Sequence, residues 1–289
     1  MTTAARGQHP PSRRPIADRQ PRRIGDPSAR ALLLTILGEL VVPTGEPAWT
    51  TALVQALGRV GVEEKSARQA LARAGGAGWL VSERSGRRVR WQVTEPGRRL
   101  LTEGARRIYT FGHREHAWDR RWLVLLVSVP EPQREARHRL RKRLTWAGLG
   151  SPAPGVWVTP NADREAEVHA VLRELGLDAE ATSFVATYGA IGEELDLVSR
   201  AWDLTGVAKE YEEFISAFRD VDPRCDEDVF ARQIRLVDAW RRFPFLDPRL
   251  PADLLPTGWR GEEAAALFDT RHRRWAAATR RVWEALAAG

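Results

Sequence analysis

The sequence predicts a multidomain α+β protein: a winged helix-turn-helix, then a ferredoxin-like βαββαβ domain, then an all-helical C-terminal domain. Three observations carry this. Thr50–Val93 reads as helix, tight turn, second helix, Gly-rich break and two short strands about Ser85-Gly86. A continuous apolar run at Trp122–Val127 opens an alternation of strands and amphipathic helices that ends near Thr187. Beyond residue 199, apolar residues recur only at helical spacing. A chain of 289 residues has room for two or three such units. The expected boundaries are a basic tail at 1–27, the winged-helix domain at 28–112, a linker at 113–120, the central domain at 121–190 and the helical domain at 191–289.

Charge is distributed unevenly over these parts. Residues 1–27 carry +4, residues 28–112 carry +6 and the remainder −3, for a net +7. The skew toward Arg (42, against three Lys) is common in GC-rich genomes and proves little by itself. The asymmetry compares parts of one chain, so it survives that objection and points to a polyanion partner for the N-terminal third. The Pro- and Arg-rich tail is expected to be disordered, either as a solvated segment or as a basic arm reaching toward phosphates. No apolar run approaches the ~18 residues of a membrane span, and no signal-peptide core precedes residue 28, so no membrane partner and a cytoplasmic location are expected. A lone Cys225 fits a reducing compartment and leaves no intrachain disulfide or Cys-based zinc site.

Each element follows from local chemistry. Ser28 is an N-cap for a helix carrying Leu32, Leu33, Ile36, Leu37 and Leu40, which Pro43 stops. Thr50 is expected to cap the next helix, whose stripe is Leu53, Ala56, Leu57 and Val60, and Gly61 suits the left-handed turn that follows. In the helix at Glu63–Ala74, Ala67, Ala70, Leu71 and Ala74 share one face. Lys65, Ser66, Arg68, Gln69 and Arg73 fall largely opposite. Small buried residues let such a helix pack close while long polar side chains project; Arg matches guanine and Gln matches adenine in the major groove. A solvated helix face is the alternative, weakened by the flanking elements. Gly75–Gly78 is expected to break the helix. The hairpin that follows alternates Val89, Trp91 and Val93 inward with Arg88, Arg90 and Gln92 outward. With Arg84 and Arg87 at its tip, and with Thr50 and Thr51, it suits phosphate contacts, which position without reading sequence. Thr94-Glu95-Pro96 opens a further helix.

In the central domain, strands at Leu123–Val129, Leu149–Pro152, Gly155–Thr159 and Ser183–Thr187 frame helices at Pro130–Trp146 and Asp163–Leu175. Arg134, Arg137 and Arg141 form, with Lys142, a basic stripe that could hold an anionic ligand or be a solvated face. In the helical domain Trp202, Trp240, Trp259, Trp275 and Trp283 are expected to cluster near the Pro-stiffened segment Phe243–Pro251. Trp202, Trp240, Phe243 and Phe245 are candidate walls for an aromatic ligand, and equally candidates for plain core. His113, His116 and Asp119 have loosely metal-like spacing with no fourth ligand near, and no metal site is expected. No G-x-S-x-G, Walker or G-x-G-x-x-G sequence stands in a useful context, so neither a catalytic residue nor a cofactor is expected.

Six blocks carry a resemblance: ARQAL…GWL at Ala67–Leu80, LTEG…IY at Leu101–Tyr109, WDRRWLVLLVSVPE at Trp118–Glu131, PGVWV at Pro154–Val158, AWDL at Ala201–Leu204 and RRFPFLDP…LP at Arg241–Pro251. From Ala29 to the C-terminus the chain resembles the PaaX family of bacterial transcriptional repressors. That resemblance implies the three-domain order above, a homodimer on a palindromic operator in double-stranded DNA, and release by an aryl-coenzyme A thioester such as phenylacetyl-coenzyme A. The central domain also resembles the small nuclease of CRISPR adaptation, which holds a divalent metal with an Asp at the end of its first strand. Ser128 occupies that slot here and is a poor ligand for a hard cation, while Glu131 would need another geometry. A metal-dependent nuclease is therefore the weaker alternative, beside a constitutive architectural DNA binder.

Overall fold

The computed structural model describes residues 27–112, 118–129 and 133–289. The fold is mixed α+β, with two small antiparallel sheets among its helices. Helix α1 (Ala29–Ile36) is capped by Ser28, whose hydroxyl accepts from the Ala31 N–H, and continues through a π-helical turn (Leu37–Val41) to end just before Pro43. A two-residue strand β1 (Ala48–Trp49) precedes α2 (Thr50–Arg59) and α3 (Glu64–Gly76). The hairpin β2 (Leu80–Ser85) and β3 (Arg88–Val93) follows, with β3 central in the order β1-β3-β2.

Two local expectations change here. Thr50 is the first residue of α2 rather than its cap. Its hydroxyl donates to the Val89 carbonyl (2.9 Å) and accepts from the Trp91 indole N–H (2.9 Å), pinning the start of the helix to β3. The Gly-rich run does not break α3 where it begins: Gly75 and Gly76 are helical, and the turn comes at Gly78, where φ is +74°. Gly75 is needed for space, since a Cβ there would lie 3.1 Å from the Trp91 ring.

Helix α4 (Glu95–Tyr109) is capped by Thr94, as its sequence suggested, and leads toward strand β4 (Arg121–Val127). Then come α5 (Arg134–Trp146), β5 (Gly150–Ala153), β6 (Val156–Thr159), α6 (Glu165–Leu175) and β7 (Ala181–Thr187). The four strands form one antiparallel sheet ordered β5-β6-β4-β7. One face, carrying Leu123, Leu125 and Val127, packs on Leu140, Leu144, Val168, Val171 and Leu172 of α5 and α6. The opposite face, with Trp122 and Val158, packs on Val198, Leu204, Leu250 and Leu254.

Helices α7 (Glu194–Ala201), α8 (Leu204–Phe218), α9 (Asp226–Trp240), the single turn α10 (Phe243–Leu246) and α11 (Gly261–Ala288) complete the chain. They do not form a separate body. Phe230 and Ile234 of α9 and Val282 and Trp283 of α11 are buried in the same cluster as Leu33, Ile36, Leu53, Leu57 and Leu71. A second cluster joins α8, α9 and α11 around Phe214, Trp240, Phe243 and Phe268. The tryptophans expected to gather in one place are divided: Trp240 and Trp275 in this cluster, Trp283 with the N-terminal helices, Trp202 and Trp259 beside the sheet.

Candidate nucleic-acid interface and a cationic cleft

Helix α3 has the two-sided character its spacing predicted. Ala67, Ala70, Leu71 and Ala74 are buried, while Lys65, Arg68, Gln69 and Arg73 are exposed and Ser66 is half-buried. Glu64, Lys65, Arg68, Gln69 and Ala72 border one open hollow on that face. Arg68 is held by Glu64 one turn earlier (2.8 Å), and both side chains are solvated. An exposed i,i+4 pair of this kind contributes only ~0.3–0.5 kcal/mol, so it orients Arg68 without locking it.

The hairpin arginines are in different situations. Arg84 and Arg87 are exposed at the tip, where Gly86 takes φ +61° and the Arg84 Nε donates to its carbonyl (3.2 Å). Arg90 is paired through two hydrogen bonds to Glu83 on the neighbouring strand (3.0 and 2.9 Å). That contact holds the Glu83 carboxyl below its usual range and the Arg90 guanidinium above its own. Arg88 lies over the Trp49 ring (4.2 Å) and donates to the Gly289 carbonyl (2.9 Å). Arg88 and Arg90 thus brace the hairpin, and the solvated cations are those of the tip. Thr51 is exposed; Thr50 already has its hydroxyl proton committed to Val89.

The ligand residues chosen from the sequence do not converge. Trp240 and Phe243 are 0% and 1% exposed, with the Trp240 indole donating to the Ile108 carbonyl (3.3 Å), so they are core and not walls. Arg134, Arg137 and Arg141 are exposed on α5, and Arg137 donates to the Val129 carbonyl (3.3 Å). Trp202 and Phe245, by contrast, line a cleft of about 280 Å³ between α4, the end of α5 and the segment at Pro244–Arg249. Arg106, Arg107, Arg164 and Arg249 border it, and none was singled out in the sequence. Trp146 and Phe245 face each other at 5.1 Å, and Arg107 lies 5.3 Å from the Phe245 ring. Trp202 sits flat on Gly150, where a Cβ would come within 2.5 Å of the indole, and stacks on Trp122 (6.3 Å). Its buried indole N–H has no hydrogen-bond partner among the described residues.

A further polar cluster joins the parts of the chain. Glu39, on the π-helical turn, accepts from the Tyr109 hydroxyl and lies 2.8 Å from the His272 Nε2 of α11. Burial, and then the neighbouring Glu39 carboxylate, raise the Tyr109 phenol well above its normal range, so it stays a donor. His113, His116 and Glu131 lie outside the described residues. Asp119 binds Arg121 through that residue's backbone and side-chain N–H groups, which lower its pKa. Among the described residues no three His, Cys, Asp or Glu side chains gather to hold a metal ion.

Known proteins share this organisation. Family models match residues 28–97 (PaaX-like protein), 115–198 (PaaX protein central Cas2-like domain) and 202–285 (PaaX-like protein C-terminal domain). The chain is 30% identical to the transcriptional repressor PaaX of Escherichia coli over 262 residues, covering 87% of this chain and 81% of the relative. The chain belongs to the PaaX family. A solved structure, the uncharacterized protein Rv0674 from Mycobacterium tuberculosis, superposes with a TM-score of 0.59 at 25% identity, covering 90% of this chain and 98% of the other. The α3 face lies within the first PaaX match, and the cleft draws on residues from the second and third. Ser128, exposed just beyond β4, lies in the Cas2-like match, its N–H donating to the Glu180 carbonyl (3.2 Å). Among the described residues no helix is long and apolar enough to cross a membrane.

Proposed function

We propose that this PaaX-family chain is a cytoplasmic, DNA-binding transcriptional repressor, homodimeric on a palindromic operator and released by a small-molecule effector of the aryl-coenzyme A class. The observation that carries the reading is α3: a buried face of small residues behind an exposed row of Lys65, Arg68, Gln69 and Arg73. In this reading residues 28–112 are a winged helix-turn-helix with α3 as its recognition helix. Arg84 and Arg87 at the hairpin tip, with Thr51, meet phosphates. The sheet order β5-β6-β4-β7 with two helices on one face supports a ferredoxin-like domain at 121–190. The E. coli relative, a transcriptional repressor by name, supports the same role.

For the effector, the cleft replaces the residues first considered. Four guanidinium groups from separate elements suit phosphate oxygens, while Trp146, Phe245 and Trp202 suit an aromatic or acyl group. At about 280 Å³ it is at the small end for a ligand site and would enclose one end of an extended molecule. An effector acts only through a difference in affinity between the DNA-competent and released states.

The test is fluorescence anisotropy on DNA from upstream of the gene, repeated with a panel of acyl-coenzyme A thioesters. Arg68→Ala or Gln69→Ala should cost ~1–3 kcal/mol and relax base preference. Arg87→Ala should weaken all sequences alike and make the salt dependence shallower. Unchanged affinity and base preference in Arg68→Ala and Gln69→Ala would remove α3 from the groove. Thioesters that release wild type but not Arg164→Ala would support the cleft.

A further inference from the structure

The four-stranded sheet has one bare edge. β7 pairs with β4 on one side only, and every residue from Thr182 to Thr187 is exposed. Edge strands are usually blunted by charges, proline, bulges or a covering element, because open N–H and C=O groups recruit other strands. None of these protects β7. Its sequence, ATSFVAT, has no charge and no proline, and its register against β4 runs unbroken through seven pairs. Phe184 is 52% exposed and Val185 44%, and Leu126 on the adjoining strand is 42%.

The backbone groups available at this edge follow from one hydrogen bond. The Ser128 N–H donates to the Glu180 carbonyl across the β4–β7 pair. Inward and outward orientation alternates along an antiparallel strand, so Thr182, Phe184 and Ala186 also direct their backbone groups to β4. Ala181, Ser183, Val185 and Thr187 then present theirs at the open edge.

That pattern is complementary to itself. We propose that β7 pairs antiparallel with β7 of a second copy about a two-fold axis through Phe184, making one eight-stranded sheet. Ser183 then opposes Val185 of the second copy and Ala181 opposes Thr187 of the second copy, so each residue with outward backbone groups meets another such residue. Phe184 opposes itself at a non-hydrogen-bonded position, where side chains come closest. Its cross-strand partner Val124 places Phe184 on the sheet face shared with Leu126, while Val185, across from Leu123, lies on the helix-covered face. Apolar contact is gained on both faces. A nucleic acid or a charged peptide would find no charge on this strand to pair with, whereas a second uncharged edge meets no repulsion. The contact is isologous, the form a two-fold dimer requires. The proposal rests on the dimeric reading above and assigns its surface.

Sedimentation velocity of the full chain, free and bound to operator, tests both. Wild type is expected to be a dimer, and Phe184→Lys and Val185→Pro monomers of half the mass with unchanged far-UV circular dichroism. Proline at 185 removes only an outward N–H and leaves the β4 ladder intact. Should either variant misfold, Phe184→Cys in a Cys225→Ser background reads the same contact, because it should form an oxidised covalent dimer. A dimeric wild type whose variants stay dimeric, with no cross-link, overturns the β7 interface and leaves the dimeric reading standing. A wild type that stays monomeric, even on operator, overturns both. A monomer whose β7 edge amides resist hydrogen exchange would place a different occupant there and also overturn the proposal.

Discussion

Replacing Ile234 with Ala should loosen helices nearly two hundred residues earlier in the chain. Ile234 is fully buried, and its neighbours in the cluster include Leu33, Ile36, Leu53 and Leu57 of α1 and α2. Truncating a buried Ile to Ala typically costs ~2–5 kcal/mol, made of lost transfer energy and a residual cavity. The upper half of that range is expected, because collapse of α9 onto α1 is resisted on both flanks. Arg235 donates to the Val60 carbonyl (3.0 Å) and Arg241 to the Ala31 carbonyl (3.2 Å), fixing the separation of the helices. Since each 1.4 kcal/mol is tenfold in an equilibrium, protection of α1–α3 amides limited by opening of this core should fall by about two to three powers of ten. Hydrogen exchange followed by peptide mass spectrometry reads each helix separately. If protection falls in α8 and α9 while α1–α3 are unchanged, the two ends of the chain do not share a core and the reasoning is wrong.

Three further changes have definite expected outcomes. Glu64→Ala frees Arg68 from its exposed partner and removes a negative charge beside the proposed groove-facing residues, so operator affinity in anisotropy titrations should rise while the urea midpoint changes little. Gly97→Ala would put a Cβ 2.3 Å from the Trp79 carbonyl oxygen, backbone that cannot turn aside, and should cost ~1–3 kcal/mol or more in urea unfolding. Burial raises the Asp238 carboxyl above its ordinary range, against the opposing pull of Arg241, Arg242 and a hydrogen bond from Thr35. A raised folded-state pKa contributes stability that is fully present below the unfolded value, about pH 4, and lost as pH rises through the folded value. The stability of wild type relative to Asp238→Asn should therefore be greatest at acid pH and decline toward neutrality; parallel urea titrations across that range check the sign.

The elements readable from the sequence are those whose signal is local. The i, i+3, i+4, i+7 spacing of Ala67, Ala70, Leu71 and Ala74 fixes which side of α3 is buried without reference to anything else. Ser28 and Thr94 as caps, and Ser85-Gly86 as the hairpin tip, were equally legible. What escaped depends on partners distant in the chain. Thr50 looks like a cap until Val89 and Trp91, about forty residues on, take its hydroxyl. An apolar stripe on α9 or α11 announces burial but not against what, so the N-terminal helices could not be foreseen as its cover. Trp240 and Phe243 follow the same logic, because an aromatic side chain fits a core and a ligand wall alike. The cleft's Arg106, Arg107, Arg164 and Arg249 were hidden for another reason. Among 42 arginines, four that meet from separate elements carry no mark of their own.

Helix α11 has a mechanical consequence. Its 28 residues make a rod about 42 Å long. Ala264, Ala265, Phe268 and Trp275 hold the rod within the α8–α9 core, and Val282 and Trp283 hold its other end within the core of α1–α3. Ala265 lies against Gly112, next to Phe111 of the cationic cleft. A tilt of about 5° about the cleft end would sweep the far end by ~4 Å, close to the one-turn steps by which packed helices change partners. The rod is a lever with its short arm at the cleft and its long arm beneath the helices that carry α3.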